Sequence, residues 1–277
     1  MPRGRARKRE KTGKGGLLRL VLLVALIAWL IRSLVFAPFS IPSGSMLPTL
    51  RVGDYLVVAK WPHGYSRHSF LFGFPPIPGR IFSSLPERGD IVIFATPDGS
   101  GEDFVKRVIG LPGDTVEVRN GTLILNGRQV PRGDMQPLEI PVSANSPCRV
   151  VAGATAMVKN SGGRQACVYP TYTERLPNGA TYKVIDQVDN PIADNFGPVR
   201  IPAGQVFLMG DNRDDSLDSR FSIAEGGVGM VPVEHLVGRA SFVFWSTDGS
   251  ASYIKPWTWL TALRTDRIGH GVSAERK

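Results

Sequence analysis

Hydrophobic positions along this 277-residue chain form one long run near the N-terminus and several short runs after it. The long run covers residues 17–36, and its charged residues, Arg19 and Arg32, lie close to its two ends. A helix of this length extends about 30 Å, enough to cross the hydrocarbon core of a bilayer, and both arginines can reach the polar interface. The pattern therefore predicts one N-terminal transmembrane helix over residues 17–36.

The short apolar runs are rich in β-branched and aromatic residues and are separated by turn residues, a pattern typical of strands. Asn120-Gly121 separates two of these runs and favours a tight hairpin, because both residues tolerate positive φ. We therefore expect a mainly β fold, with an antiparallel β-sheet domain after the transmembrane helix. The predicted strands cover residues 54–60, 91–94, 104–109, 116–119, 122–125, 205–209 and 240–245.

Two regions lack a clear strand pattern. Residues 61–88 mix aromatic residues with prolines and glycines. So close to an anchor, such a loop either lies in the membrane interface, where aromatic rings are favoured, or packs as an ordinary loop. Residues 131–200 are rich in polar and turn residues and hold both cysteines of the chain. We expect them to form a loop-rich β region inserted into the sheet domain.

The positive charge of the chain is concentrated at its N-terminus. The formal net charge is +9, and residues 1–16 hold seven basic residues and one acidic residue, or +6, which leaves +3 for residues 17–277. Nucleic-acid binding would need the excess positive charge on the surface of a folded domain. Here it lies in a tail beside an apolar segment, so nucleic-acid binding is not expected. The positive-inside rule keeps this tail in the cytoplasm and places residues 37–277 across the membrane.

A cleaved signal peptide is the competing interpretation of the N-terminus, because a basic stretch also precedes the apolar region in signal peptides. No small-x-small cleavage site follows the apolar run, which leads directly into Pro38 and then Pro42. An uncleaved anchor is therefore favoured.

Cys148 and Cys167 are the two cysteines, with 18 residues between them. An oxidising compartment would favour a structural disulfide between them, whereas two free thiols would be the default in the cytosol. No ligand spacing relates these cysteines to the four histidines of the chain, so neither a metal site nor another cofactor is expected.

Residues 39–50 bring two serines, Ser43 and Ser45, close to the end of the apolar run. Pro42 and Pro48 disfavour a helix there, since each fixes its own φ and restricts the residue before it. Taken alone, this segment is typical of a linker. Whether its serines have a chemical role depends on the remainder of the chain.

A neutral lysine can act as a general base in place of histidine, because burial among apolar groups lowers the pKa of its ammonium. Lys106 fits this role better than any other lysine: it lies within the apolar run 104–109 and, in a strand, shares a face with Phe104 and Val108. Arg107 would then point to the other face. A triad based on histidine is not favoured, because ordinary contexts surround His63, His68, His235 and His270.

Three segments taken together resemble, in the same order, motifs of the bacterial type I signal peptidases, also called leader peptidases. They are Ile41-Pro-Ser-Gly-Ser-Met-Leu-Pro-Thr-Leu50, Lys106-Arg-Val-Ile-Gly-Leu-Pro-Gly-Asp114 and Gly210-Asp-Asn-Arg-Asp-Asp-Ser-Leu-Asp-Ser-Arg220. Residues 88–92 also resemble the strand that precedes the lysine motif of that family. The resemblance extends from about Ile31 to Arg239.

The resemblance implies a role for each matching residue. Ser45 would be the nucleophile and Lys106 the general base. The backbone N–H of Ser45 and the hydroxyl of Ser43 would form the oxyanion hole, and Ser216 would orient the lysine. Positions that support the site through ion pairs and hydrogen bonds are matched by Asp211, Asp218 and Arg220.

The resemblance also implies how substrate binds. Shallow apolar pockets would accept small residues at positions −3 and −1 of a signal-peptide cleavage site. An extended substrate would add alongside the Lys106 strand or the Ile41 segment by β-augmentation. The residues expected to line these pockets are Phe39, Ile41, Pro42, Phe104 and Val105.

The expected protein is a membrane-anchored serine endopeptidase that removes N-terminal signal peptides from exported preproteins, as a monomer in contact with lipid. A basic cytoplasmic tail (1–16) and an anchor (17–36) would precede an extracytoplasmic catalytic domain (37–277) with an inserted subdomain (131–200). This domain would lie on the outer, periplasmic side of the bacterial inner (plasma) membrane. Two alternatives stay open: a Ser/Lys peptidase dedicated to one partner, and a non-catalytic anchored β-domain that binds export partners.

Overall fold

The computed structural model describes residues 14–149, 151–152, 154, 157–161, 163–252 and 254–276. Its N-terminal α-helix, α1 (Lys14–Leu30), continues through a π-helical turn, Ile31–Val35, into the first strand. From Gly15 to Val35 the helix is long and apolar enough to cross a membrane, with a mean hydropathy of 2.3. Residues 1–13, most of the predicted basic tail, lie outside the described residues.

The rest of the described chain is built mainly of strands. A short helix, α2 (Thr258–Thr261), and 3₁₀ turns at Trp61–His63, Arg67–Ser69, Leu71–Gly73, Ile223–Glu225, Val233–His235 and Thr265–Arg267 connect them. The strands are β1 (Phe36–Ser40), β2 (Asp54–Ala59), β3 (Tyr65–Ser66), β4 (Arg80–Ile81), β5 (Ile91–Ala95), β6 (Asp103–Gly110), β7 (Thr115–Arg119), β8 (Thr122–Leu125), β9 (Arg128–Gln129), β10 (Gln136–Pro141), β11 (Met157–Ser161), β12 (Arg164–Arg175), β13 (Ala180–Ile185), β14 (Asn195–Arg200), β15 (Gln205–Met209), β16 (Val231–Pro232), β17 (Leu236–Ser246) and β18 (Glu275–Arg276).

The predicted antiparallel β fold is confirmed. A seven-stranded sheet in the order β1-β2-β17-β5-β6-β15-β16 forms the centre of the molecule, and its neighbouring strands all run antiparallel. A four-stranded sheet, β14-β7-β8-β9, contains the predicted hairpin, in which Asn120 and Gly121 both have positive φ. Each of the seven predicted strands corresponds to a strand of the structure.

Strand β5 shows why the central sheet holds together. Ile91 and Ile93 pack into one buried cluster with Leu56 and Val243, whereas Val92 and Phe94 pack into a second cluster. Successive side chains of a strand point to opposite faces, so a strand covered on both faces is hydrophobic throughout. Strand β1 instead lies at the edge of the sheet. Pro38 has no backbone N–H to donate, and an edge strand tolerates this because one of its sides has no partner strand.

The region from residue 131 to 200 contains more regular structure than its many turn residues indicated. Strands β10, β12 and β13 form a second sheet with β18, and β11 also pairs with β12. Strand β14 returns to pair with β7 of the hairpin sheet. The Cys148–Cys167 disulfide joins the segment after β10 to β12, with 5.6 Å between the two Cα atoms.

The aromatic segment 61–88 packs against the end of the N-terminal helix. The ring of Phe70 stacks on Trp29, with 6.4 Å between ring centroids, and the Tyr65 hydroxyl donates to the Leu34 carbonyl at 2.8 Å. The hydroxyl of the buried Ser33 accepts from the Leu71 N–H at 3.2 Å. These contacts join the helix directly to the β domain.

Candidate active site

Ser45 lies in a turn that follows strand β1. The Leu47 N–H donates to the Gly44 carbonyl at 3.1 Å, and the Leu50 N–H donates to the Met46 carbonyl at 2.9 Å. Met46 and Leu50 are fully buried and fix the turn to the apolar core. The Ser45 side chain is thereby held at the bottom of a cleft, with only 8% of the residue exposed.

Lys106 reaches Ser45 from the central strand β6. Its Nζ donates a hydrogen bond to Ser45 Oγ at 2.7 Å, and the lysine is 4% exposed. Burial lowers the pKa of Lys106 to about 8. The Asp218 carboxylate opposes this shift, and the Arg220 guanidinium adds to it. About a tenth of the amine is therefore neutral at pH 7, and this neutral form can accept a proton.

Two groups beside Ser45 are suited to bind an oxyanion. The Ser43 hydroxyl is 3.4 Å from Ser45 Oγ. Among the described residues, none accepts a hydrogen bond from the Ser45 N–H. This N–H therefore remains available to a substrate, as an oxyanion hole requires.

Ser216 and Asp218 follow strand β15 and lie next to this pair. The Ser216 hydroxyl donates to Asp218 Oδ2 at 2.9 Å, and within the described chain no hydrogen bond joins Ser216 to Lys106. The Gly210 N–H donates to the same oxygen at 2.9 Å. Gly210 leaves room for Ser216, because a Cβ at this position would be 2.6 Å from the Ser216 Cβ.

Arg220 fixes the Asp218 carboxylate. Its Nε donates to Oδ1 at 2.9 Å and its Nη2 to Oδ2 at 3.0 Å, with both side chains almost fully buried. Burial raises the pKa of Asp218, but the Arg220 charge and the hydrogen bonds outweigh this effect and lower the pKa below its usual value. Asp218 therefore stays ionised beside Lys106.

Asp211 acts on the opposite face of β6. Arg107 donates to its carboxylate through Nε at 2.7 Å and Nη2 at 2.6 Å, and both side chains are 1% exposed. Arg107 points away from Lys106, as the alternation of a strand predicted. The pairing of Arg107 with Asp211 was not predicted, because strand alternation shows on which face of the sheet a side chain lies but not which residue it contacts.

Asn212 and Arg149 also contact the Ser45 turn, and the sequence analysis missed both. The Asn212 N–H donates to the Ser45 carbonyl at 3.0 Å, and its side-chain amide donates to the Gly44 carbonyl at 3.2 Å. Asn212 belongs to the third motif and could have been considered from its position there. Arg149 lies outside the motifs, so no sequence signal indicated it.

A cleft of about 840 Å³ opens above Ser45 and Lys106. Ser43 and Ser216 also line it, together with acidic side chains and Arg149. The cleft is large enough for several residues of an extended peptide. The five residues predicted to bind substrate, Phe39, Ile41, Pro42, Phe104 and Val105, all line it.

The histidines lie outside this cleft. Burial lowers the pKa of His63 to about 4, and its two ring nitrogens have no hydrogen-bond partner among the residues that the structure describes. The rings of His68 and His235 contact each other, with 4.7 Å between centroids. Among the described residues, no histidine lines the cleft, so the structure offers no histidine base for Ser45.

One group of carboxylates in the described chain has a spacing that could hold a cation. Oxygens of Asp186, Asp194 and Asp214 lie within 4.8 Å of one another. Asp186 already pairs with Arg132 Nη2 at 2.6 Å, and Asp194 accepts from the Asn190 N–H at 2.7 Å. Arg132 therefore balances the charge of one of the three carboxylates.

Comparison with known proteins gives consistent matches. The model of a family described as signal peptidase, peptidase S26, matches residues 15–245, a range that contains all three motifs. Signal peptidase I of Rickettsia typhi is 33% identical over 264 residues, covering 88% of this chain and 89% of the relative. That of Rickettsia akari is 34% identical, covering 88% of each. A solved signal peptidase I from Enterococcus faecalis is 24% identical, with a TM-score of 0.29, over 56% of this chain and 97% of that one.

Proposed function

This chain belongs to the signal peptidase family, peptidase S26, and on that premise we propose that Ser45 and Lys106 carry out its reaction. It is a serine peptidase that removes signal peptides at a membrane. The observation that carries the residue assignment is the 2.7 Å hydrogen bond between the buried Lys106 Nζ and Ser45 Oγ. The Ser/Lys pair would make a separate histidine unnecessary.

In the first half of the reaction, Ser45 Oγ attacks the carbonyl carbon of the scissile peptide while neutral Lys106 takes the hydroxyl proton. The tetrahedral intermediate then collapses, the C–N bond breaks, and Lys106 returns the proton to the leaving amine. The signal peptide stays esterified to Ser45, and the mature protein departs with a new N-terminus. In the second half, Lys106 takes a proton from water, whose oxygen attacks the ester carbon. The bond between that carbon and Ser45 Oγ then breaks, Lys106 returns the proton to Ser45 Oγ, and the signal peptide leaves.

The negative charge of each tetrahedral intermediate would be stabilised by the Ser45 N–H and the Ser43 hydroxyl. One such donor is typically worth about 3 kcal/mol in the transition state. The 3.4 Å separation of Ser43 Oγ from Ser45 Oγ supports this role, since both hydroxyls border the same part of the cleft.

Ser216 would act on Lys106 together with Asp218. The hydrogen bond between Ser216 and Asp218 and the charge of Asp218 support this role. Arg220 would keep Asp218 ionised and in place. Asp211 would support the site from the other face of β6 through Arg107.

The signal peptide would bind as an added strand. Strand β15 pairs with Arg107, Val108 and Gly110 of β6, so residues 103–106 have no strand on that side within the described chain. An extended peptide there can hydrogen bond to the backbone while alternate side chains enter pockets. The apolar wall around Phe104 and Ile41 would favour small residues at positions −3 and −1.

The enzyme is anchored to the membrane, and we propose that α1 crosses it once with the basic tail in the cytoplasm. The sheet domain would then lie on the outer, periplasmic side, where signal peptides emerge. Phe72 and Phe82 are 91% and 84% exposed in the segment that packs on the helix end. Their continuity with the anchor supports contact with lipid.

The groups assigned to the reaction all belong to one chain, which supports a monomer as the functional unit. A site shared between two subunits would instead need a residue from a second chain. Detergent-solubilised enzyme is expected to elute as a monomer and to keep the same turnover number on dilution.

A preprotein processing assay tests the assignment. Ser45→Ala and Lys106→Met are each expected to slow cleavage by at least about a thousandfold, because both groups act as one unit. The matched controls Ser250→Ala and Lys159→Ala change exposed residues of the same types and are expected to cleave normally. Wild-type rates in either dyad variant would contradict the mechanism.

Labelling with a serine-directed penem inhibitor tests the alternative of a non-catalytic anchored domain. Wild-type enzyme is expected to be acylated at Ser45, and Ser45→Ala is expected to remain unlabelled. An unlabelled wild-type protein would favour a non-catalytic anchored domain.

A further inference from the structure

Arg149 enters the active site from outside the three motifs and lies across the nucleophile turn. A Cβ on Gly44 would be 2.5 Å from Arg149 Nε and 3.2 Å from Arg149 Cζ, and all three nearest atoms belong to this arginine. Gly44 does not need glycine for its φ, which is outside the positive region. The arginine side chain therefore occupies the space that a Cβ at Gly44 would need.

Asp215 holds the guanidinium in this position. Arg149 Nη2 is 3.1 Å from Asp215 Oδ1, and Arg149 Nε pairs with Asp215 Oδ2. Asp215 directly precedes Ser216 and is joined to the turn by a second route: Asn212 Nδ2 is 3.5 Å from Asp215 Oδ2 and 3.2 Å from the Gly44 carbonyl oxygen. The backbone of Gly44 is thus held between Asn212 and the Arg149–Asp215 pair.

The backbone of Arg149 is fixed as well. Its N–H donates to the Tyr169 hydroxyl at 2.8 Å. Cys148, the preceding residue, is bonded to Cys167, which lies two positions from Tyr169 in the same strand, β12. The disulfide and the tyrosine therefore attach Arg149 to a regular sheet.

We propose that Arg149 is a positioning residue for the peptidase reaction, held over Gly44 by Asp215, Tyr169 and the Cys148–Cys167 disulfide. Gly44 links Ser43 to Ser45, so a displaced Gly44 moves both the nucleophile and the oxyanion donors. Misplacement of reacting groups by about 1 Å can cost about a hundredfold in rate. This inference rests on the proposed role of Ser45.

The first test is the kinetics of Arg149→Ala on a peptide substrate. We expect kcat per active site to fall about tenfold to a hundredfold, with KM changed less than twofold. Titration with the acylating penem normalises for folded enzyme, so a loss of folded protein alone would leave this value unchanged. Arg149→Lys is expected to recover part of the loss, because it keeps the charge for Asp215 and lacks the planar guanidinium.

The pH dependence of kcat/KM shows whether Arg149 acts by positioning the Ser45 turn or by changing the pKa of Lys106. Burial lowers the pKa of Lys106, Asp218, Asp215 and Asp211 raise it, and Arg220 is the cation that lowers it further. Arg149→Ala is therefore expected to lower the plateau of kcat/KM without moving its inflection. Asp215→Asn is expected to lower the plateau and move the inflection to lower pH.

Gly44→Ala supplies the most specific test. In the wild-type background the new methyl group would displace Arg149, so kcat is expected to fall as in Arg149→Ala. In the Arg149→Ala background the space is free, and the same substitution is expected to change kcat less than twofold. The double variant Cys148→Ser/Cys167→Ser is expected to lower kcat in the wild-type background only.

Lys159→Ala is the matched control, because Lys159 pairs with Glu139 at 2.6 Å on the exposed side of the same sheet. Wild-type kcat in Arg149→Ala, a rise in KM alone, or equal losses from Gly44→Ala in both backgrounds would overturn the proposal. Persistent cleavage by Ser45→Ala would instead overturn the proposed function, so the two failures are distinguishable.

Discussion

At the scale of single residues, burial is needed to make a lysine a base, but burial does not identify the base. Lys60 and Lys106 are both 4% exposed, and burial lowers the pKa of each to about 8. The Lys60 ammonium lies 5.7 Å from the centre of the Phe39 ring, and no hydroxyl of the described residues hydrogen bonds it. Only Lys106 has a serine 2.7 Å away, so the position of Ser45 distinguishes the two lysines.

The pH dependence of cleavage follows from the pKa of Lys106. A general base must be neutral, so the protonated form present below the pKa is inactive and kcat/KM should rise with pH through about 8. Lys60→Met is the matched control, since it removes a lysine with a similar pKa and should leave the inflection in place. Steady-state kinetics between pH 6 and pH 10 measure both profiles, and an inflection lost with Lys60 would contradict the assignment.

At the scale of elements, strand β6 carries both the proposed base and an arginine of a buried ion pair. Its alternation presents Lys106 to the cleft and Arg107 to the opposite face, where Asp211 binds it. Asp211 is the second residue of the loop that follows β15 and carries Ser216 and Asp218. Strand β6 therefore positions the proposed base, Lys106, directly. It also holds the loop after β15 in place through the buried ion pair between Arg107 and Asp211.

Arg107→Ala is expected to lower the free energy of unfolding by about 3–5 kcal/mol, because it leaves a buried, unpaired carboxylate. Arg119→Ala is the control: its side chain is 66% exposed and pairs with Glu117, and such exposed pairs contribute about 0–1 kcal/mol. Denaturant unfolding followed by circular dichroism measures both. Equal losses in the two variants would show that the Arg107–Asp211 pair has no special structural role.

At the scale of the whole molecule, the packing of the anchor on the β domain sets where the site lies. Trp29 stacks on Phe70, and Ser33 and Leu34 hydrogen bond to the same aromatic segment. Ser45 lies ten residues after Val35, where the helix ends. Its turn belongs to the β domain, and the aromatic segment 61–88 attaches this domain to the helix. We expect the cleft to keep a constant height above the membrane surface.

Single cysteines introduced into the disulfide-bonded protein test the proposed membrane orientation and the proposed lipid contact of the aromatic segment. A cysteine at Gln129 should react with an impermeant maleimide added outside the cell, and one at Thr12 should react only after lysis. A nitroxide at Phe72 should be shielded from an aqueous relaxing agent by lipid, whereas one at Gln129, also exposed in the structure, should not. Reversed maleimide labelling would contradict the orientation, and equal nitroxide accessibility would contradict lipid contact at Phe72.

The sequence predicted the fold well where the signal was local. The apolar runs of β6 and β15 and the Asn120-Gly121 hairpin depend on neighbouring residues, so they could be recognised directly. The region around β12 was harder, because its strands are interspersed with turn residues and become regular only when they pair with each other. The pairing of β14 with β7 joins distant segments and left no local pattern.

The sequence by itself determined the apolar helix, the antiparallel β class and, through three ordered motifs, the family and the candidate residues Ser45, Lys106 and Ser216. These features are encoded in short segments, where residue type and spacing carry the information. Only the tertiary structure decided that Lys106 reaches Ser45 across 61 residues, that Arg107 binds Asp211 across 104, and that Arg149 lies over Gly44. Such contacts depend on how the sheets pack, which no local pattern of side chains specifies.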